Sequence, residues 1–339
     1  MGQAMQLRLG YKASAEQFGP DDLLDFGALA ERLGFDSVFI SDHFQPWRHT
    51  GGHAPFSLVW LATLGAKTSR VLLGTSVLAP SFRYNPAIVA QAFATLGVLF
   101  PGRVVLGLGT GESMNETPAT GLPWPEQKER TQRFREALDL IQTLWRGERV
   151  SYAGQFYRTL NATIYDRPRE PVPIYIAGAG PLMARMAGEK ADGFICTSGK
   201  ERTLYTQTLL PNVAAGLERA GRAPDSIDRM IEMKVSFDTD RRRAHEDTRN
   251  WGALALSQQE KHDVEDPVEM ERLADALPTE RTASRWIVSS DPGEHVAKVM
   301  EYVAMGFNHL VFHAPGEDQA RFLELYAEQV LPLLRNRSG

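Results

Sequence analysis

The sequence predicts an α/β protein built as a (β/α)8 TIM barrel, and three observations support this. Eight short runs rich in Val, Ile and Phe alternate with longer stretches of helical spacing, the pattern of parallel strands joined by helices. Several runs are apolar almost throughout, which indicates strands buried on both faces. The length of 339 residues suits an α/β barrel that forms one domain. A doubly wound open sheet is the rival fold.

Turn residues and apolar spacing set the predicted element bounds. A helix over 21–33 follows Pro20 and stops before Gly34, and residues 86–99 and 126–145 show the same helical spacing. Gly, Pro or Asp bound most of the strands. The eight predicted strands are residues 7–12, 37–41, 71–77, 104–108, 173–177, 193–196, 230–237 and 309–313.

Two segments interrupt the alternation within this single predicted domain, residues 1–339. Residues 150–160 (VSYAGQFYRTL) predict a hairpin that turns at Ala153-Gly154, as part of an insertion over 150–172. Residues 241–285 are long, polar and charged. We therefore expect an insertion or lid over 238–285 that covers one end of the barrel and contributes to the substrate site.

Composition and net charge limit which binding partners and which cellular compartment we expect for this protein. The net charge of -5 favours neither nucleic acid nor an anionic membrane as a partner. Cys196 is the only cysteine, so an intrachain disulfide is excluded. The first residues show no signal-peptide pattern, and no stretch is long and apolar enough to span a bilayer. We expect a cytoplasmic protein.

Polar residues follow most of the predicted strands, and barrel enzymes place their catalytic groups at these carboxyl ends. The segment from Gly107 to Glu112 has the wrong spacing for a Rossmann fingerprint, which argues against NAD(P). Glycines there still let a flat cofactor and its phosphate approach the backbone. The polar ends are Ser41-Asp42-His43, Ser76-Val77, Gly109-Thr110-Gly111-Glu112, Gly178-Ala179-Gly180, Thr197-Ser198-Gly199-Lys200 and His313.

Two other kinds of site are not indicated. His43, His49 and His53 lie close in sequence, but their spacing matches no zinc pattern, so we predict no metal site. The sequence has no Gly-x-Ser-x-Gly elbow, which argues against a serine hydrolase.

Several long motifs make a resemblance specific. The sequence resembles the F420-dependent glucose-6-phosphate dehydrogenases of actinobacteria, within the luciferase-like barrel superfamily, from about residue 5 to residue 335. The motifs that carry it are GYKASAEQF (10–18), SDHFQPWRH (41–49), LGTSVL (73–78), GTGE (109–112), GFICTSGK (193–200), Lys261-His262 and NHLVFHAPG (308–316).

The resemblance implies a homodimeric barrel with the deazaflavin F420 in its mouth, backed by a non-proline cis peptide at Ser76-Val77. Ala79 stands where a threonine is expected near the cofactor, and residues 114–123 depart from the family in sequence and length. The implied cofactor-binding residues are Asp42, Ser76, Val77, Ala79, Thr110, Gly111, Asn115, Ala179, Gly180, Leu182 and Met183.

The implied reaction oxidises the anomeric carbon of glucose 6-phosphate, which removes a proton from oxygen and a hydride from carbon. His43 suits the base because imidazole titrates near neutrality, and Glu112 suits the acid if burial raises its pKa. Glu16 orients or shares the proton, and Trp47 covers the sugar or stabilises positive charge. The resemblance supports these four residues but not their division of labour, because His43 and Glu112 can exchange roles.

The same resemblance implies an anchor for the substrate phosphate. Lys200, Lys261 and Arg285 match the family positions that hold the phosphate, with Thr197 beside them. Three cations that converge on a dianion make physical sense, because each contributes charge-assisted hydrogen bonds. Two alternatives remain: another luciferase-like reductase or monooxygenase that uses a deazaflavin or FMN, and a non-catalytic sugar-phosphate binding protein.

Overall fold

The computed structural model describes residues 7–257, 259–261 and 264–338. Each predicted strand is found, with ends shifted by up to two residues. A further short strand, β8, was not predicted. The strands are β1 Arg8–Ala13, β2 Ser37–Ile40, β3 Leu72–Thr75, β4 Val104–Leu108, β5 Ile174–Ala177, β6 Gly193–Thr197, β7 Asp228–Phe237, β8 Ile287–Ser289 and β9 His309–His313.

The strands form a closed parallel barrel. Strands β1 to β7 pair in sequence order, and β9 pairs with both β1 and β7, which closes the ring. The short β8 adds to the end of β7, outside the ring of eight. The (β/α)8 prediction is confirmed, and the rival open sheet is wrong because this sheet leaves no gap in its ring.

Helices surround the barrel and begin where the sequence supplies suitable caps. Pro20 opens α1, with Asp21 and Asp22 in its first turn, where carboxylates complement the helix dipole. Asn85 caps α3 by accepting from Ala87 N at 2.9 Å. The helices are α1 Pro20–Arg32, α2 Ser57–Lys67, α3 Pro86–Leu99, α4 Ser113–Thr120, α5 Gln127–Arg146, α6 Pro181–Lys190, α7 Leu210–Arg219, α8 Arg241–Glu246, α9 Pro267–Asp275, α10 Thr279–Ala283, α11 Pro292–Met305, α12 Gln319–Gln329 and α13 Leu331–Ser338, with a π-helix over Leu204–Leu209 and a 3-10 helix over Asp247–Ala255.

Two hydrophobic layers hold the barrel together. The larger layer lies between the sheet and the helices, where burial of apolar surface supplies most of the stabilisation. The smaller layer fills the barrel interior, so the barrel is a packed core with no central pore. Its buried residues are Phe39, Val105, Tyr175, Ile195, Met230 and Val311.

The hairpin turn lies further along the chain than predicted. Gly154 N donates to the carbonyl of Tyr157, so the turn centres on Gln155-Phe156 and the prediction of Ala153-Gly154 is wrong. The Glu136 carboxylate accounts for this position, because it accepts from the N–H groups of Gln155 and Phe156 at 3.0 and 2.9 Å. Within the described residues, no helix is both long and apolar enough to cross a lipid bilayer.

Candidate active site

The carboxyl ends of the strands surround a cavity of about 440 Å³. The loops that follow β1 to β6 contribute lining residues, and the polar insertion after β7 contributes Trp251, Leu254, Lys261 and Arg285. All four predicted catalytic residues and all four predicted substrate residues line this one cavity: Glu16, His43, Trp47, Glu112, Thr197, Lys200, Lys261 and Arg285.

His43 lies between two carboxylates. Its Nδ1 is 3.4 Å from Glu16 Oε1, and its Nε2 is 3.9 Å from Glu112 Oε2. The two carboxylates differ in exposure, since the Glu16 side chain is 5% exposed and that of Glu112 is 52% exposed. The imidazole therefore lies between a buried carboxylate and one that reaches solvent, and its Nδ1 has no hydrogen-bond partner among the described residues.

Glu16 is held as an anion by its neighbours. Burial alone disfavours the charged carboxylate, but electrostatic interactions with His43 and Lys12 outweigh burial and lower the pKa of Glu16. Its Oε2 and the buried hydroxyl of Ser41 have no hydrogen-bond partner within the described part of the chain. Buried polar atoms are normally paired, so this corner of the cavity is suited to a polar ligand.

Trp47 lies close to both His43 and Lys261. Its ring lies 5.7 Å from the His43 ring, centroid to centroid. Lys261 Nζ lies 5.1 Å from the Trp47 ring centroid, within cation–π range. A ligand that contacts Trp47 would therefore be close to both His43 and Lys261.

Lys200, Lys261 and Arg285 form a cluster of like charges. Burial, then the charges of Arg285 and Lys261, lower the pKa of Lys200. Burial and Arg285 likewise lower the pKa of Lys261, with Glu112 opposing them. Cations that destabilise one another in this way are suited to an anion that binds between them.

The backbone fixes two of these cations in place. Arg285 Nη1 donates to the carbonyl of Gly199, whose φ of +73° requires glycine. A Cβ at that position would also lie only 2.5 Å from the Arg285 carbonyl oxygen. The hydroxyl of Tyr205 accepts from Lys200 N at 3.1 Å and donates to Thr197 O at 2.8 Å, which fixes the loop after β6.

The predicted cofactor residues divide into two groups. Gly180, Leu182 and Met183 lie at the start of α6 and are outside the cavity lining. The Ser76-Val77 peptide is cis, as the resemblance implied. The predicted cofactor residues that line the cavity are Asp42, Ser76, Val77, Ala79, Thr110, Gly111, Asn115 and Ala179.

Asp42 has its carboxylate fully engaged by the protein. It accepts from Ser57 Oγ at 2.6 Å, Tyr84 OH at 2.9 Å and Arg83 Nη2 at 2.9 Å. Arg83 also donates to Glu116 Oε1 at 3.1 Å. Burial raises the pKa of Glu116, although Arg83 opposes that shift. This buried network fixes the backbone next to His43.

Asn115 ties α4 to the loop after β2. Its Oδ1 accepts from Phe44 N at 2.9 Å and Gln45 N at 3.2 Å. The same loop is tied to α9 in the insertion, because Arg48 lies 2.6 Å from Asp275 and 3.0 Å from Glu271. The loop that carries His43 and Trp47 is thus held both by α4, through Asn115, and by α9, through Arg48.

Three buried charged residues that the sequence analysis did not assign lie at the floor of the cavity, beside His313, which it named as the polar end of a strand. Lys12 Nζ lies 3.2 Å from Glu232 Oε2, Lys234 is ion-paired with Glu232, and Lys234 Nζ lies 2.7 Å from His313 Nδ1. One signal was available: charges at alternate positions of the otherwise apolar β7 indicate a polar face toward the barrel axis. His262, of the Lys261-His262 motif, lies outside the described residues.

Comparison with known proteins fits this geometry. The family model of the luciferase-like monooxygenases matches residues 2–309. The chain belongs to the luciferase-like monooxygenase family. Two curated relatives in this family are F420-dependent glucose-6-phosphate dehydrogenases, which confirms the resemblance. The one from Beutenbergia cavernae is 67% identical over 331 residues, and the one from Nakamurella multipartita is 64% identical over 333, each covering 98% of both chains.

Solved structures of luciferase-like proteins match the same barrel. An F420-dependent secondary alcohol dehydrogenase, in complex with an F420-acetone adduct, has a TM-score of 0.92 and 31% identity, with 98% of this chain and 100% of that chain covered. A coenzyme F420-dependent tetrahydromethanopterin reductase from Methanopyrus kandleri has a TM-score of 0.81 at 22% identity, with 97% and 99% covered. The second match supports the fold alone.

Proposed function

We propose that this chain oxidises glucose 6-phosphate to 6-phosphogluconolactone with F420 as the hydride acceptor. The observation that carries the proposal is a single cavity in which His43, between two carboxylates, lies next to a cluster of three cations. The names of the curated relatives support the same reaction. A luciferase-like reductase or monooxygenase with another substrate is not favoured, since relatives at 58–67% identity share that name.

The residues at one side of the cavity fit F420. Gly111 has a φ of +82°, and a Cβ at Gly109 would lie 2.5 Å from Val77 Cγ2, so the backbone there tolerates no side chain. The start of α6 offers free N–H groups for a phosphate, and a Cβ at Gly180 would meet only open space. We propose that this bare backbone, with Ser76 and Thr110, holds the deazaflavin. When bound, F420 supplies the acceptor for the hydride.

The proton chemistry is assigned to His43 and its carboxylates. Loss of a hydride from carbon and a proton from the hydroxyl leaves the C=O of the lactone, so a base must receive that proton. We assign the base to His43, and the anionic Glu16 at 3.4 Å stabilises the imidazolium that forms. The burial that the sequence analysis required of Glu112 is not found, because its side chain is 52% exposed. Glu112 stays the candidate acid because its carboxylate lies 3.9 Å from His43 Nε2 and can regain a proton from solvent.

The substrate phosphate is assigned to Lys200, Lys261 and Arg285, with Thr197 beside them. Burial first, and then the neighbouring positive charges, lower the pKa of both lysines, and a bound dianion would offset both effects. We propose that the insertion over 238–285 acts as a lid, because Lys261 and Arg285 come from it while Lys200 comes from the barrel. The sugar then extends from these cations toward His43, past Trp47.

The test is a turnover assay with F420 and a panel of sugar phosphates. Loss of the F420 absorbance with glucose 6-phosphate, and far slower loss with free glucose, is the expected result. Activity with NADP in place of F420, or oxygen consumption with FMN, would contradict the proposal. A protein that binds glucose 6-phosphate without turning it over would be a binding protein instead.

We also propose that the chain forms a homodimer and works in the cytoplasm. Three large apolar side chains at the start of α2 and in α3 are exposed, with Phe56 49%, Val59 63% and Ile88 56% exposed. Exposed apolar side chains of this size are suited to burial against a second copy. Sedimentation equilibrium of the purified chain checks this, and a monomer at micromolar concentration would contradict it.

A further inference from the structure

His313 lies at the end of β9. One of its ring nitrogens has a hydrogen-bond partner, and the other has none within the described residues. It pairs in register with Lys234 on β7, and Lys234 Nζ lies 2.7 Å from His313 Nδ1. Lys234 is ion-paired with Glu232, and an ammonium group can only donate. Nδ1 also faces Glu232 Oε1 at 3.6 Å, but Lys234 Nζ is much closer, so we assign Nδ1 as the acceptor and place the hydrogen of the neutral imidazole on Nε2.

The Nε2–H of His313 has no acceptor within the described part of the chain. The side chain is 1% exposed, yet it lines the active-site cavity. A buried donor without a partner is rare in folded proteins and indicates a ligand or an ordered water. Two tryptophan rings limit rotation of the imidazole, because Trp251 and Trp286 contact it edge to face at 4.4 and 5.2 Å.

The free N–H belongs to a residue that lines the cavity assigned to the substrate. Trp286 directly follows Arg285, one of the three cations, and His313 and His43 line the same cavity. A hexose phosphate held at both ends, by the cations and by His43, would present its secondary hydroxyls between those points.

We propose that His313 is a specificity-determining residue whose Nε2–H donates to one secondary hydroxyl of the hexose, at C2, C3 or C4. This inference rests on the proposed function and deepens it, because it names what distinguishes glucose 6-phosphate from its isomers. The cations recognise any sugar phosphate, whereas a directional donor recognises one hydroxyl in one configuration.

The test compares kcat/KM for glucose 6-phosphate with that for its 2-deoxy, 3-deoxy and 4-deoxy analogues. In the parent protein, one deoxy analogue leaves the buried donor unpaired, and its kcat/KM should fall at least about tenfold. In His313→Phe, kcat/KM for glucose 6-phosphate should fall about tenfold. The analogue that the parent disfavours should then lose no further activity, while the other two should fall with glucose 6-phosphate.

Two further variants separate recognition from packing. His313→Gln keeps an N–H donor and should restore part of the discrimination. His295→Phe is the matched control, because His295 is equally buried but bonds to Tyr326 OH at 3.1 Å, away from the cavity. In His295→Phe, the ratios of kcat/KM among glucose 6-phosphate and its three deoxy analogues should stay as they are in the parent protein. Inhibition by inorganic phosphate should be unchanged in His313→Phe, since the cations remain.

The outcomes distinguish the two proposals. If the parent turns over all three deoxy analogues as well as glucose 6-phosphate, the Nε2–H is satisfied by water and the role of His313 is overturned. The same conclusion follows if His313→Phe slows all four sugars equally. If the parent turns over no sugar phosphate with F420, the proposed function itself is overturned, and the role of His313 with it.

Discussion

Lys12 Nζ donates to both the carbonyl and the hydroxyl oxygen of Ser76, each at 2.8 Å. The same ammonium lies 3.2 Å from Glu232 Oε2, and the Lys12 side chain is only 4% exposed. Lys12→Met leaves the buried Glu232 with one cation fewer, so the free energy of unfolding should fall by about 3 kcal/mol or more. Urea denaturation measures this change.

The control for Lys12 is an exposed lysine in a weak ion pair. Lys67 Nζ lies 3.8 Å from Asp25, and both side chains are largely exposed. Lys67→Met should change the free energy of unfolding by no more than about 0.5 kcal/mol. Equal urea midpoints for Lys12→Met and the parent would show that the buried pairing contributes little.

Replacement of His43 tests the assigned base. His43→Ala should lower kcat by roughly two to four decades, because the proton acceptor is lost, and should leave F420 affinity nearly unchanged. Steady-state kinetics and a titration of F420 fluorescence measure the two quantities. A variant with near-normal kcat would remove His43 from the mechanism.

The phosphate cluster is tested by substrate ratios. Single Ala substitutions of Lys200, Lys261 and Arg285 should each raise KM for glucose 6-phosphate by roughly tenfold, with a smaller effect on kcat. The decisive quantity is kcat/KM for the phosphorylated sugar divided by that for free glucose. Lys298→Ala, at an exposed lysine paired with Glu294, is the control. A parent-like ratio in all three variants would mean that the phosphate binds elsewhere.

Buried histidines should make the fold sensitive to mild acid. Burial lowers the pKa of His295 to about 3 and the pKa values of His309 and His313 to about 4. Unfolded histidines titrate near 6.5. Between pH 6.5 and 4 the unfolded chain therefore binds more protons, so stability falls as pH falls through this window. Each histidine contributes about 1.4 kcal/mol per pH unit.

Urea denaturation at several pH values checks this window. His295→Phe should reduce the pH dependence of the free energy of unfolding by about the contribution of one histidine, which is about 1.4 kcal/mol per pH unit. The exposed His49 provides a matched control, and His49→Phe should leave the dependence unchanged. A free energy of unfolding that stays constant from pH 6.5 to 5 would contradict the argument.

The sequence located structural features correctly wherever residues close together in the chain determine them. Apolar runs and flanking prolines located the strands and helices, because burial on both faces leaves a continuous apolar pattern. Long motifs located His43 and Lys200. Pairings across the barrel left no local pattern, since Lys12 meets Glu232 across 220 residues of chain and Asp42 meets Arg83 across 41. The position of the hairpin turn likewise depends on Glu136, which lies outside the hairpin and so does not enter a prediction from the turn residues alone.

Arg48 joins the loop that carries His43 and Trp47 to helix α9 of the insertion. This junction is partly open to water, with Arg48 33% and Asp275 53% exposed. Dissolved ions screen such charges, with a Debye length of about 8 Å at physiological ionic strength. Added salt should therefore weaken the contact between the loop that carries His43 and Trp47 and the segment that carries Lys261, while the buried charges on the barrel floor stay shielded. We thus expect ionic strength to affect how firmly the proposed lid is held more than it affects the buried ion pairs beneath it.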